Sequence, residues 1–197
     1  MLANTNLELI WFKQILANQD LVSNLENITL IITDVDGCLT DANIDYTCDQ
    51  EFSRRFSIQD GFAIEQALKA GLLVGFMSGK AHSSSNMRAQ KLGIPEDLNL
   101  GGKKDKVVAL KTICESRNIN MQNILFFGDD CYDARVKLAV PEIIFATPSN
   151  APFYYQNIAN IVLPKQGGQH VFRLLLDLVL YVQKKHFSQE LIDRLVR

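Results

Sequence analysis

Two aspartates separated by a single residue, Asp34 and Asp36, stand directly after an apolar run at residues 28–33, and Gly37 follows them. The run is rich in β-branched side chains, which predicts a buried strand. Carboxylates are rarely buried without a partner. A strand that ends in two of them therefore needs a cation, a ligand or hydrogen-bond donors from elsewhere in the chain.

Other polar side chains occupy comparable positions in the sequence. Ser78 closes a second apolar run, Asp129 and Asp130 close a third, and Lys106 stands at the start of a predicted helix. In a parallel sheet, ligands bind where the carboxyl ends of the strands meet. We therefore expect these side chains to converge on the first pair of aspartates.

A cluster of this composition indicates metal-assisted phosphoryl transfer. Two carboxylates about 4 Å apart repel each other by on the order of 4 kcal/mol at an effective dielectric constant of about 20, so a cation is needed to hold several of them together. Oxygen ligands favour a hard divalent ion, Mg2+ first. The hydroxyl of Ser78 and the amino group of Lys106 can hold a phosphoryl group, and an aspartate can act as the nucleophile.

The elements that position these residues alternate between strand and helix. This alternation predicts an α/β fold, a Rossmann-like parallel sheet with helices on both faces. A capping box from Thr5 to Glu8 predicts an N-terminal helix that ends near Asn18, and alternating residues at 43–56 predict a β-hairpin flap after the first strand. The predicted strands lie at residues 28–33, 72–77, 98–100, 124–127, 143–146 and 161–163. Helices are predicted near residues 62–68, 82–92, 104–117, 132–138, 151–158 and 169–185.

Composition limits the classes of function. The chain has 197 residues, 47% of them hydrophobic, which suits one substantial core. A net charge of -2 gives no electrostatic case for nucleic acid or for an anionic membrane. The four cysteines are irregularly spaced, no export signal is recognised, and the most apolar late segment is too short to span a bilayer. We therefore expect a soluble, cytoplasmic protein with reduced thiols, bound neither to nucleic acid nor to a membrane.

Four motifs in order carry a family resemblance. They are DVDGCLTD at residues 34–41, the serine after the second strand, the lysine that opens a helix, and GDDCYD at residues 128–133. In this order they resemble the motifs of the haloacid dehalogenase superfamily. The stretches FSIQDGFAI, GGKKDK and QGGQHVFR are similar to its capless branch, the 3-deoxy-D-manno-octulosonate 8-phosphate phosphatases, and imply the absence of a large cap domain. The resemblance divides the chain into an N-terminal helical extension (1–27), a catalytic domain (28–182) and a C-terminal tail (183–197).

The resemblance implies a division of labour among the aspartates. Asp34 would attack phosphorus and become an aspartyl phosphate, while Asp36 would act as general acid and then as general base. Asp34, the backbone carbonyl of Asp36 and Asp129 would hold Mg2+. Asp130 and Asp133 would not bind the metal but would orient its ligands or Lys106. The same resemblance implies a homotetramer joined through the hairpins and a place in lipopolysaccharide biosynthesis.

Among the residues that would bind the substrate, the chain departs from the family pattern. Ser78, Gly79, Lys80, Lys106 and Gln169 would bind the phosphoryl group and a small phosphorylated sugar acid. Lys80 and Gln169 stand where the family usually has arginines, and lysine lacks the planar fork that grips a carboxylate. The exact sugar acid therefore stays open, with a nonulosonate 9-phosphate or another phosphorylated metabolite as alternatives. A phosphoacceptor signalling domain is the alternative from another class, but Asp36 favours a hydrolase because it can turn the phosphoenzyme over.

Overall fold

The computed structural model describes residues 6–46 and 52–196. Within these ranges, a six-stranded parallel sheet and a two-stranded antiparallel hairpin are present. The strands are β1 Leu30–Thr33, β2 Asp45–Tyr46, β3 Phe52–Ser53, β4 Leu73–Ser78, β5 Asn99–Gly101, β6 Ile124–Phe127, β7 Ile144–Thr147 and β8 Ile161–Val162. The α-helices are α1 Leu7–Ala17, α2 Gln19–Glu26, α3 Ile58–Lys69, α4 Ser83–Leu92, α5 Lys106–Arg117, α6 Cys131–Ala139, α7 Phe153–Gln156, α8 Val171–Val182 and α9 Gln189–Val196. The predicted fold class is confirmed.

The strand order β5-β4-β1-β6-β7-β8 places β1 and β6 at the centre of the large sheet. Every residue of these two strands is buried, as expected for parallel strands covered on both faces. From β1 the chain proceeds outward through β4 and β5, then returns to the other side of β1 at β6. The strand order therefore reverses between β1 and β6, and this switch point is where such sheets bind ligands.

Helices cover both faces of the sheet. On one face α3 packs against α8, and on the other α5 packs against α6. The chain crosses from β1 outward to β4 and later back from β5 to β6, and right-handed crossovers in these two directions place their helices on opposite faces. The helix α8 carries nine buried residues, which makes it the most deeply embedded of the described helices. These layers hold the carboxyl ends of the strands in fixed positions.

The N-terminal segment differs from the prediction in two respects. The first helix is capped by Asn6, whose Oδ1 accepts the Leu9 N–H at 3.1 Å, whereas the predicted cap, Thr5, lies outside the described residues. A second helix, α2, follows at once because the Asn18 side chain caps it by accepting the Leu21 N–H. The Trp11 indole donates to the Val162 carbonyl of β8 at 2.8 Å, so α1 lies along that edge strand.

The C-terminal segment also contains structure that the sequence did not predict. The helix α8 ends at Val182, three residues before the predicted end, and Gln183 turns back to donate to the carbonyls of Leu25 and Ile28. Beyond it, α9 occupies most of the predicted tail. The division into extension, catalytic domain and tail stays a prediction.

The predicted hairpin is present as β2 and β3, with Asp45 opposite Ser53. Its turn, residues 47–51, lies outside the described residues, and so does Cys48. The other three cysteines, Cys38, Cys114 and Cys131, are free thiols. Among the helices that the structure describes, none is long and apolar enough to cross a membrane.

Candidate active site

The site forms where β1 ends. Asp34 is the first residue after β1, its N–H donates to the Phe127 carbonyl of β6 at 2.8 Å, and only 8% of its surface is exposed. Lys106, the first residue of α5, reaches it with Nζ 2.8 Å from Asp34 Oδ1. Asp105 makes this possible by capping α5, since its Oδ1 accepts the N–H groups of Val107 and Val108. The sequence-predicted nucleophile and phosphate-binding lysine are therefore in direct contact.

Two further aspartates complete the buried cluster. Carboxylate oxygens of Asp34, Asp129 and Asp133 lie within 4.8 Å of one another. Gly37 allows this approach because a Cβ at its position would lie 2.0 Å from Asp129 Oδ2, and its backbone has a φ of +89°. The loop of residues 34–41, here called the β1 loop, thus packs directly against the loop after β6.

Asp133 is held by several donors at once. Lys106 Nζ lies 2.6 Å from its Oδ1, and the N–H groups of Asp129 and Asp130 donate to its Oδ2 at 3.2 and 3.3 Å. Asp130 caps α6 and forms a capping box with Asp133. Because both oxygens of Asp133 already accept hydrogen bonds, this side chain suits the supporting role predicted for it, whereas Asp34 and Asp129 are better placed as ligands.

The electrostatics of the cluster disfavour negative charge when no cation is bound. Burial, reinforced by the charge of Asp133, raises the pKa of Asp34 to about 8 against the opposing effect of Lys106. Burial and the charges of Asp133 and Asp130 raise the pKa of Asp129 to about 7. Burial alone would lower the pKa of Lys106, but the charges of Asp133 and Asp34 outweigh burial and raise it. Lys106 is thus a fixed positive charge.

The donor set fits a hard divalent cation. Its atoms are carboxylate oxygens on a buried, preformed cluster, and their mutual repulsion is relieved by a positive ion. Lys106 neutralises one charge, which leaves the cluster with an excess of negative charge to be matched. The geometry therefore supports a divalent metal site at Asp34 and Asp129.

The residues after β4 follow the strand that pairs in parallel with β1, so they stand at the same carboxyl edge of the sheet as Asp34. Ser78 is 5% exposed and its Oγ accepts the Lys80 N–H at 3.3 Å, so Gly79 sits in a tight turn. The Ser78 carbonyl accepts the Lys103 N–H at 3.0 Å, which ties this turn to the loop before α5. The side chain of Lys80 is exposed, so the structure places it at the rim rather than in the buried cluster.

The turn before α8 packs against the β1 loop. The Gly168 N–H donates to the Cys38 carbonyl at 2.9 Å, and a Cβ on Gly167 would lie 1.7 Å from the Gly37 carbonyl oxygen. Only glycines can pack this closely on the β1 loop. Gln169 follows this turn with an exposed side chain, so it too lies at the rim.

Sequence reasoning missed one residue of the site, Arg54. Its Nε lies 2.6 Å from Asp36 Oδ1 and its Nη2 lies 3.1 Å from Asp36 Oδ2, which makes a two-point ion pair. Arg54 follows β3 at the base of the hairpin. The available signal was a cation in a predicted hairpin close to the carboxylates, but the adjacent Arg55 fits that description equally well.

Comparisons with known proteins place this site in context. No family model matches the chain. A 3-deoxy-D-manno-octulosonate 8-phosphate phosphatase from Haemophilus influenzae is 33% identical over 161 residues, which cover 82% of this chain and 87% of that protein. The protein of the same description from Escherichia coli K12 is 30% identical over 166 residues, 84% of this chain and 86% of its own. The cobalt-bound structure of the Haemophilus influenzae phosphatase superposes with a TM-score of 0.79 at 30% identity and covers 87% of this chain and 99% of its own.

Fold and site together define the class, a phosphatase of the haloacid dehalogenase superfamily. The similarity extends over most of both chains at 33% identity, well beyond the motifs themselves. This chain belongs to the family of 3-deoxy-D-manno-octulosonate 8-phosphate phosphatases. The enzyme prediction is confirmed, and a phosphoacceptor signalling domain, the alternative from another class, is not supported.

Proposed function

We propose that this phosphatase releases phosphate from 3-deoxy-D-manno-octulosonate 8-phosphate, with Mg2+ as its cofactor and an aspartyl phosphate at Asp34 as its intermediate. The observation that carries the chemistry is the contact of Asp34 with Lys106 beside Asp129 and Asp133 at the switch point of the sheet. The descriptions of the relatives support the substrate.

The first step is attack of Asp34 on phosphorus. Lys106 favours the ionised form of the attacking carboxylate and neutralises charge on the transferring group, because it is buried and fixed between Asp34 and Asp133. The Ser78 hydroxyl donates to a phosphoryl oxygen from the end of β4. Asp34, Asp129 and the Asp36 carbonyl would hold Mg2+, which would supply further neutralisation of the phosphoryl charge.

The proton transfers belong to Asp36. Its side chain is 34% exposed, so it can reach the oxygen of a leaving sugar. It gives a proton to that oxygen during formation of the phosphoenzyme and later takes one from the water that hydrolyses it. The neighbouring Asp34 is far more buried, and as the nucleophile it cannot also transfer these protons.

The sugar acid is bound at the rim by Lys80 and Gln169. Lys80 offers a single-point charge to a carboxylate, whereas Gln169 offers a neutral amide. This pair leaves a nonulosonate 9-phosphate or another sugar phosphate as the second candidate. Activity on the octulosonate would place the protein in lipopolysaccharide biosynthesis, in the cytoplasm.

A substrate panel tests the proposal directly. We expect turnover of 3-deoxy-D-manno-octulosonate 8-phosphate to exceed that of a nonulosonate 9-phosphate and of 4-nitrophenyl phosphate, and all turnover to stop when EDTA removes the metal. A different preferred sugar phosphate would correct the substrate alone. Metal-independent turnover, or none on any ester, would contradict the proposed chemistry.

Asp34→Asn is the matched inactive variant for that panel. Loss of the nucleophile should lower kcat by on the order of 10⁴-fold or more on every ester, with the far-UV circular dichroism spectrum unchanged. Asp20→Asn makes the same exchange at an exposed position of α2 and should retain wild-type rates. An Asp34→Asn enzyme that keeps most of its activity would remove Asp34 as the nucleophile.

A further inference from the structure

The Arg54 guanidinium lies behind the Asp36 carboxylate. The side chain of Arg54 is 1% exposed, whereas that of Asp36 is 34% exposed. Nε and Nη2 lie 2.6 and 3.1 Å from the two carboxylate oxygens, so the fork meets both of them from the protein side. Each carboxylate oxygen keeps a second lone pair that this fork does not engage, and the exposed third of the Asp36 side chain is where a ligand can approach.

This arrangement is poorly explained by stability alone. An ion pair with a buried member contributes little net stability because that charge must first be desolvated. In addition, Arg54 Nη1 is buried and has no acceptor among the residues that the structure describes, which is itself unfavourable. What the pair does supply is a fixed orientation, since a two-point contact restricts rotation of the Asp36 carboxylate in a way that one hydrogen bond cannot.

The hairpin is the element that delivers Arg54. Arg54 is the residue directly after β3. The two strands of the hairpin are linked by a hydrogen bond from Ser53 Oγ to Asp45 Oδ2 at 3.3 Å. Three residues further on, Ser57 caps α3 and its Oγ lies 2.7 Å from His170 Nδ1, on the turn that packs against the β1 loop. The short segment that carries Arg54 is thus held at one end by the hairpin and at the other by the contact between Ser57 and His170.

We infer that Arg54 is a positioning residue that holds the Asp36 carboxylate toward the leaving-group oxygen. The inference rests on the proposed function. In the first step a bond forms between Asp34 and phosphorus, while the bond from phosphorus to the ester oxygen breaks and leaves its electron pair on that oxygen. The oxygen then takes the proton carried by Asp36, whose direction Arg54 fixes. Arg54 itself remains shielded from the substrate.

The leaving group distinguishes this role from a structural one. A sugar alkoxide needs a proton as it departs, whereas 4-nitrophenolate departs without one. We expect Arg54→Gln to slow the first-turnover release of the sugar by about 10- to 100-fold, the scale of a general acid that has lost its alignment. Release of 4-nitrophenolate in the first turnover should change by less than about threefold. Arg54→Lys, which keeps the charge but not the fork, should fall between Arg54→Gln and the wild type on the sugar ester.

Arg55→Gln is the matched control, because Arg55 is the next residue, is 84% exposed and only approaches Asp41 at 3.7 Å. It should leave both first-turnover rates at the wild-type value. Equal losses on the two esters in Arg54→Gln, or no loss on either, would overturn the inference while leaving the phosphatase intact. A wild-type enzyme that releases neither leaving group in the presence of Mg2+ would overturn the proposed function and this inference with it.

Discussion

Asp34 and Asp129 are carboxylates in an environment that resists their ionisation. Burial and the charges of neighbouring aspartates together raise the pKa of Asp34 to about 8 and that of Asp129 to about 7. Lys106 offsets the raised pKa of Asp34 only in part, because its charge is shared between Asp34 and Asp133. A divalent ion therefore gains affinity from repulsion already present in the folded protein, and small changes in the spacing of the carboxylates should change that affinity.

Gly37 gives a direct test of this spacing. A methyl group at Gly37→Ala would lie 2.0 Å from Asp129 Oδ2 and must push that carboxylate away from Asp34. We expect the Mg2+ concentration for half-maximal activity to rise by about tenfold or more, as for other changes that displace a metal-supporting group.

Gly71→Ala separates this effect from backbone strain. Gly71 has a φ of +86°, close to the +89° of Gly37, but a Cβ there would meet no atom within 4 Å. It should lower stability by about 1–2 kcal/mol, the strain of a left-handed residue, and leave the Mg2+ requirement unchanged. Equal Mg2+ requirements in the two variants would show that contact with Asp129 is unimportant.

At the scale of elements, the sequence predicted the features that depend on neighbouring residues and missed those that depend on a single cap or on a distant contact. The central strands are apolar runs, so the positions of Asp34, Ser78 and Asp129 at their ends followed from the sequence. The helix α2 was missed because its start depends on one cap, Asn18, inside a segment with no clear periodicity break. Arg54 was missed because a contact across 18 residues, through a hairpin, leaves no local pattern.

Asp60 connects two elements and should give the fold a specific pH dependence. It lies in α3, yet its Oδ1 accepts the Arg173 N–H in the first turn of α8, while its Oδ2 is buried without a partner among the described residues. Burial raises its pKa to about 6 from an ordinary value of 3.8. Because the folded state holds the proton more tightly, this group's stabilisation is complete below about pH 4 and is lost as the pH rises through about 6.

Asp60→Asn isolates that contribution, since the amide stays neutral and keeps an acceptor for Arg173. The free energy of unfolding of the wild type minus that of the variant should fall by on the order of 3 kcal/mol between about pH 4 and pH 8. Urea denaturation across this range measures the difference. A difference that does not change with pH would mean that Asp60 ionises as readily in the fold as in the unfolded chain.

At the scale of the whole molecule, the residues that the structure describes leave the site open to solvent. Asp36 is partly exposed, the side chains of Lys80 and Gln169 stand at the rim, and no cap domain lies above them among the described residues. The family resemblance implies a homotetramer joined through the hairpins, which would supply a cover from a neighbouring copy. The hairpin that carries Arg54 would then connect assembly to the orientation of Asp36.

Sedimentation velocity of the full chain at micromolar concentration tests this assembly. We expect a species with four times the mass of the 22.2 kDa chain. A monomer that is fully active on the sugar ester would contradict the need for a neighbouring copy.

The Trp11 contact has a consequence for how copies of this protein meet. The strand β8 is an edge of the large sheet, and an edge strand with free carbonyls is a template on which another chain can add a strand. The Trp11 indole already occupies the Val162 carbonyl, and Glu8 of the same helix holds Lys165 at 2.9 Å just beyond the strand. The N-terminal helix therefore covers this edge of the sheet against the addition of a strand from another chain.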